Sequence, residues 1–118
     1  MYNFNNLKVY RRADLFSDVI HSVTKIFPIH EKFALGDQMN RAVDSVVLNI
    51  CEGGGAETNA DTLLYLRHAV KSCNEVEGII GRAWKLGYLK DGEKDYMELR
   101  KEVIEIRNML FGFMKRFR

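Results

Sequence analysis

Gly53, Gly54 and Gly55 follow one another between Glu52 and Glu57, in the stretch NICEGGGAETNADT at residues 49–62. Glycine-rich backbone can cradle a phosphate when it links a strand to the N-terminus of a helix. That chemistry needs a GxxxxGK[ST] or GxGxxG spacing, and neither occurs here. The glycines instead follow a helical pattern. They read as a corner between two helices, with Gly53 as a left-handed C-terminal cap and Gly54 and Gly55 letting the chain reverse.

The other groups able to do chemistry are few. His21, His30 and His68 are the histidines, and none has a glutamate three residues before it, as a di-iron bundle would require. HExxH, EF-hand and paired CxxC patterns are missing too, so no metal, cofactor or catalytic residue is expected. Glu52, Glu75 and Glu77 could face one another across neighbouring helices. With no histidine, serine or lysine paired to them, capping or interhelical hydrogen bonding is the better account. Cys51 and Cys73 are too few for a zinc site and fall on apolar helix faces, where buried free thiols are expected.

The elements that must position these groups are helices. The chain has 118 residues, 47% hydrophobic and 29% charged, with one proline, a composition suited to one ordinary domain with long helices. Val9, Ala13, Phe16, Ile20, Val23 and Phe27 recur at helical spacing, predicting a first helix over 7–27 that Pro28 ends. A second, over 37–52, takes Asp37 as N-cap and turns Met39, Ala42, Val43, Val46, Ile50 and Cys51 inward. Val47 and Leu48 widen its apolar surface enough to meet a second neighbour, here another copy of the chain.

A third helix, over 59–86, starts from a capping box at Thr58 and Asp61. It carries Leu63, Leu66, Val70, Cys73, Ile80 and Trp84 inward and stops at Gly87. Gly78 and Gly81 interrupt it at about 1 kcal/mol each relative to alanine, which points to close approach by another helix, from this chain or from a copy. The fourth, over 91–117, has Tyr96, Leu99, Val103, Ile106, Leu110, Phe113 and Phe117 in a heptad seam. Four helices with short connections predict an all-α, up-down-up-down antiparallel bundle, one domain over 1–118 that self-associates.

That order gathers the start of the first helix and the end of the fourth at one pole. Lys8, Arg11 and Arg12 then lie near Lys115, Arg116 and Arg118, with Tyr2, Phe4 and Tyr10 close by. Cations interleaved with rings can hold a phosphate backbone and stack on a base. Asp14, Glu52, Glu57 and Asp61 share that end and dilute the field, and the formal charge of the whole chain is only +2. No basic leader with a long apolar run is visible at the N-terminus and no stretch is apolar over the ~20 residues of a bilayer span, so a cytoplasmic protein without membrane contact is expected.

FNNLKVYRRADLF, IFPIHEKFALGDQMNRAVDSVVLNICEGGG, KLGYL and MLFGFMKRF resemble the small four-helix proteins of the 23S rRNA intervening-sequence protein family. Phe4, Leu7 and Val9 match its F-x-x-L-x-V; Phe27, Pro28, Glu31 and Phe33 match F-P-x-x-E-x-F. Ser45, Asn49, Ile50, Glu52 and Gly53 match S-x-x-x-N-I-A-E-G, with Cys51 in place of alanine. Where the family often has proline and serine this chain has Val47 and Leu48, which implies a straighter second helix. A related branch, the accessory variability proteins of diversity-generating retroelements, forms five-membered barrels that bind nucleic acid and a reverse transcriptase. The resemblance therefore implies a homopentamer without enzymatic activity.

Together these readings predict an RNA- or ribonucleoprotein-associated accessory protein. Lys8, Arg11, Arg12, Lys115, Arg116 and Arg118 would meet phosphates, Tyr10 would stack, and Val47, Leu48, Gly78 and Gly81 would form the oligomer interface. The alternative is a scaffold with a protein partner and no nucleic-acid binding.

Overall fold

In the computed structural model, which describes residues 7–118, the chain forms α1 (Lys8–Thr24), α2 (Asp37–Gly55), α3 (Asn59–Lys85) and α4 (Glu93–Met114). The described residues include no strand. A short helical lead-in, Ile29–Glu31, passes through a π-helical turn, Lys32–Gly36, directly into α2, and a 3-10 turn, Lys115–Phe117, extends α4.

Contacts between neighbouring helices give their direction. Ser17 meets Asp44, and Thr24 meets Asn40, so α1 and α2 are antiparallel. Thr62 meets Gly53 while Ser72 meets Ser45, which runs α3 against α2. Arg107 reaches Asn74 and Trp84 stacks on Tyr96, placing α4 antiparallel to α3. These pairings are consistent with an up-down-up-down order.

The expected stripes fill the core. Ile20, Met39, Ile50, Leu66, Ile80, Ile106 and Leu110 are among its largest fully buried side chains, drawn from all four helices. Trp84 departs from its stripe: it is 41% exposed, and its indole lies on the Tyr96 ring with centroids 4.2 Å apart. An indole that large is accommodated at the rim, where a second ring covers one face.

Helix ends differ from expectation in three places. Helix α1 closes at Thr24, and the chain tightens into three-residue turns through Ile26 and Phe27 ahead of Pro28. Asp37 is no N-cap, because the chain is already helical when it arrives there from the π turn. Gly53 is not left-handed: α2 continues through Gly55, and Ala56 leaves it in extended geometry. The Ala56 N–H at 3.3 Å and the Thr62 hydroxyl at 3.2 Å both donate to the Gly53 carbonyl, so that acceptor is satisfied without a left-handed turn. Gly53 and Gly54 are buried where α3 begins. Positive φ occurs instead at Gly87 (78°), the stop expected after α3, and at Gly92 (53°) before α4. The cap at Thr58 forms as expected, its hydroxyl accepting the Asp61 N–H at 3.1 Å.

Candidate nucleic-acid interface

The first turn of α1 contains no acidic residue, and Leu7, at the N-cap position, makes no side-chain cap bond. Lys8 and Arg11 are exposed there. Cations at this end oppose the helix dipole and need another explanation than dipole complementarity. Lys115, Arg116 and Arg118, exposed at the end of α4, do complement the dipole of their helix. Lys8 and Arg116 border one groove of about 280 Å³ between α1 and α4, floored by Leu7, Val9, Met109 and Phe113. The Arg116 guanidinium carbon sits 5.3 Å from the Phe113 ring centre, a cation–π contact that leaves its charge at the surface.

Arg12 does not join this set. Its guanidinium forks onto Glu102 of α4, with Nε 3.1 Å from Oε2 and Nη2 on Oε1, and Nη1 lies 3.7 Å from Glu105. The hydrogen bond to Glu102, ahead of the charge of both glutamates, raises its pKa. Arg12 is thus a clasp between α1 and α4, not an open phosphate ligand. Tyr10 is half-buried against α2, and hydrogen bonding with Cys51, followed by the charge of that thiol, pushes its phenol pKa up. It is not a freely displayed stacking ring. Tyr2 and Phe4 lie outside the described residues.

The same pole has an acidic side. Glu52, Glu57 and Asp61 line a cleft of about 370 Å³ at the α2–α3 corner, together with Leu64 and Tyr65. The cations therefore occupy one edge of the pole and these carboxylates the other. Glu52, Glu75 and Glu77 do not face one another, and Glu75 and Glu77 are instead hydrogen-bonded between helices. Glu77 is held by Arg107 at 2.6 Å and Arg100 at 3.2 Å, Glu75 is reached by Gln38 at 3.4 Å, and Glu52 stands at the other end of α2.

The interface residues expected from sequence separate as well. Leu48 is 61% exposed, but Val47 is packed in the core and is not surface for a copy to meet. Among the described residues, no other part of the chain comes within 4 Å of where a side chain would begin at Gly78 or Gly81, so no neighbouring helix approaches them closely. Cys73 is fully buried, and burial pushes its thiol up to about 12, against the lowering effect of Arg107. Cys51 is only half-buried.

One constellation escaped the sequence reading. Ser17 Oγ donates to Asp44 Oδ1 at 2.7 Å, and His21 Nε2 lies 2.9 and 3.0 Å from the two Asp44 oxygens. The residue types are those of a hydrolytic triad, but the order is wrong. Asp44 sits between the other two, so the serine gives its proton to a carboxylate and not to the imidazole. This arrangement ties α1 to α2. Ser17 and His21 at i, i+4 on α1 were the available signal, and their partner 23 residues on could not be read from spacing. Among the described residues no cluster of histidine, cysteine and carboxylates could hold a metal ion, and no helix is long and apolar enough to cross a membrane.

Comparison with known proteins agrees with the bundle. Residues 5–112 match the family model of the 23S rRNA-intervening sequence protein. The fold superposes with a TM-score of 0.83 on a crystal structure of a protein with unknown function from the S23 ribosomal protein family of Bacteroides thetaiotaomicron, at 25% identity, covering 91% of this chain and 95% of that one. No curated protein matches the chain.

Proposed function

This chain belongs to the 23S rRNA-intervening sequence protein family, and we propose that it acts by binding, as a self-associating, cytoplasmic accessory protein that holds RNA by its phosphate backbone. The observation that carries this reading is the α1–α4 groove, where Lys8 and Arg116 stand exposed on either side of an apolar floor. Arg11, Lys115 and Arg118 extend the positive edge. Phosphate contacts of this kind are largely independent of sequence and release counterions, so binding should weaken steeply with salt. The acidic α2–α3 corner repels the backbone and confines it to one edge of the pole. A homopentamer is the first assembly to test.

The experiment is titration of a structured RNA hairpin against the protein and against a Lys8→Glu, Arg11→Glu, Lys115→Glu, Arg116→Glu variant that keeps Arg12. Affinity should fall by about 100-fold or more, with helicity and thermal midpoint little changed. Equal affinity for the two proteins would end the RNA reading. It would favour the protein-scaffold alternative, which draws support from Leu48 and Leu64, 61% and 47% exposed beside the acidic corner.

A further inference from the structure

The two most exposed large apolar side chains lie far from the basic pole. Ile29 is 80% exposed and Phe33 78%, four residues apart on the lead-in and π turn that precede α2. A π turn widens the helix and is energetically poor, and such turns gather where a protein makes functional contacts. This one is anchored from beneath, because the Tyr88 hydroxyl donates to Glu31 at 3.0 Å and the Tyr88 ring packs on Phe27 at 5.5 Å. Ile29 and Phe33 thus form a supported knob. The cations about it are Lys25 and Lys32, both exposed, while Glu31 between Ile29 and Phe33 is taken up by Tyr88.

At the same end of the bundle, the outer face of α4 carries a hollow of about 630 Å³. Its apolar centre is Met97 and Ile104, seven residues apart, with Arg100 and Lys101 between them. Positions i, i+3, i+4 and i+7 are the four corners of the hole that receives a side chain in a coiled coil. Glu93, Glu98 and Glu105 rim it; Arg100 is already drawn to Glu77 at 3.2 Å, and Glu105 faces Arg12 at 3.7 Å. Glu93 and Glu98 thus outnumber Lys101 at the edge of the hole, and two lysines edge the knob.

We propose that the Ile29–Phe33 knob of one copy seats in the Met97–Ile104 hole of the next. This inference rests on the self-association proposed above and names its contact surface, in place of the one expected at Val47. Knob and hole are different patches of one chain, so the contact is heterologous, and each copy offers one donor and one acceptor surface. Both patches sit at the same end of the bundle, which suits copies arranged side by side. Opposite charge around the two apolar centres sets register and excludes knob-to-knob pairing.

The test uses the full chain and measures mass by light scattering. A knob variant, Ile29→Asp with Phe33→Asp, and a hole variant, Met97→Lys, change exposed positions only, and circular dichroism checks their folding. Each alone should fall to the 13.7 kDa monomer. Mixed one to one, they retain a single intact knob and a single intact hole, and should form a dimer of twice that mass. Variants that keep the wild-type mass would overturn the inference and leave self-association standing. A mixture that stays monomeric would overturn the heterologous pairing. A monomeric wild type would remove self-association and this contact together, leaving the hole to a helix of some other protein.

Discussion

Arg12 on α1 and Glu102 on α4 are joined by two parallel hydrogen bonds, from Nε and Nη2 to the two carboxylate oxygens. This fork crosses the most open seam of the bundle, with the Lys8–Arg116 groove on one side and a smaller hollow at Leu15 and Val19 on the other. Both side chains are about one-third exposed, so solvent screens the pair and its worth is modest. Arg12→Ala should lower unfolding free energy by about 1 kcal/mol, less in 1 M salt, as urea denaturation would show. RNA affinity should change little, since this guanidinium is already engaged. A loss as large as that of an Arg116→Ala variant would mean that the fork opens when RNA binds.

The salt dependence of RNA binding gives a count. Lys8, Arg11, Lys115 and Arg116 together predict a slope of log K against log salt of about −3 for single-stranded RNA. Isothermal titrations between low and moderate salt measure it. A slope near zero would speak against phosphate contacts altogether.

Thr62 is buried, and its hydroxyl closes the end of α2 by donating to the Gly53 carbonyl. Thr62→Val keeps the shape and removes this donor, leaving the Gly53 carbonyl with only the Ala56 N–H at 3.3 Å. The expected cost is about 0.5–1.5 kcal/mol, that of one hydrogen bond, by denaturant unfolding. Thr58→Ala, which removes the N-cap of α3, should cost about 1 kcal/mol in the same measurement.

Alkaline pH should destabilise the bundle through Cys73. Its thiol is raised from an ordinary value of 9.0 to about 12, chiefly by burial. The unfolded chain therefore releases this proton first. The stability associated with the neutral thiol is complete below pH 9.0 and is lost as pH climbs toward 12. Thermal midpoints of wild type and Cys73→Ala between pH 8 and pH 11 should converge. Parallel curves would show that another group controls the alkaline limb, such as Tyr88, which burial and its bond to Glu31 also shift upward.

Four helices, their apolar stripes, the break at Pro28, the cap at Thr58 and the stop at Gly87 were legible in the amino-acid order. Each depends on residues within a turn or two of one another, where spacing and backbone preference act directly. The continuation of α2 through three glycines was not legible, because one of the two donors to the Gly53 carbonyl, the Thr62 hydroxyl, comes from the next helix. Nor was the burial of Val47, which depends on what stands opposite it.

Charge divided in the same way. Composition and helix order alone placed Lys8, Arg11, Arg12, Lys115, Arg116 and Arg118 at one pole. Only tertiary structure decided that Arg12 is committed to Glu102, that Tyr10 leans on Cys51, and that carboxylates hold the opposite edge. The physical reason is that helical periodicity is written along one segment, whereas a cation's freedom depends on which side chain of a distant segment stands within about 4 Å.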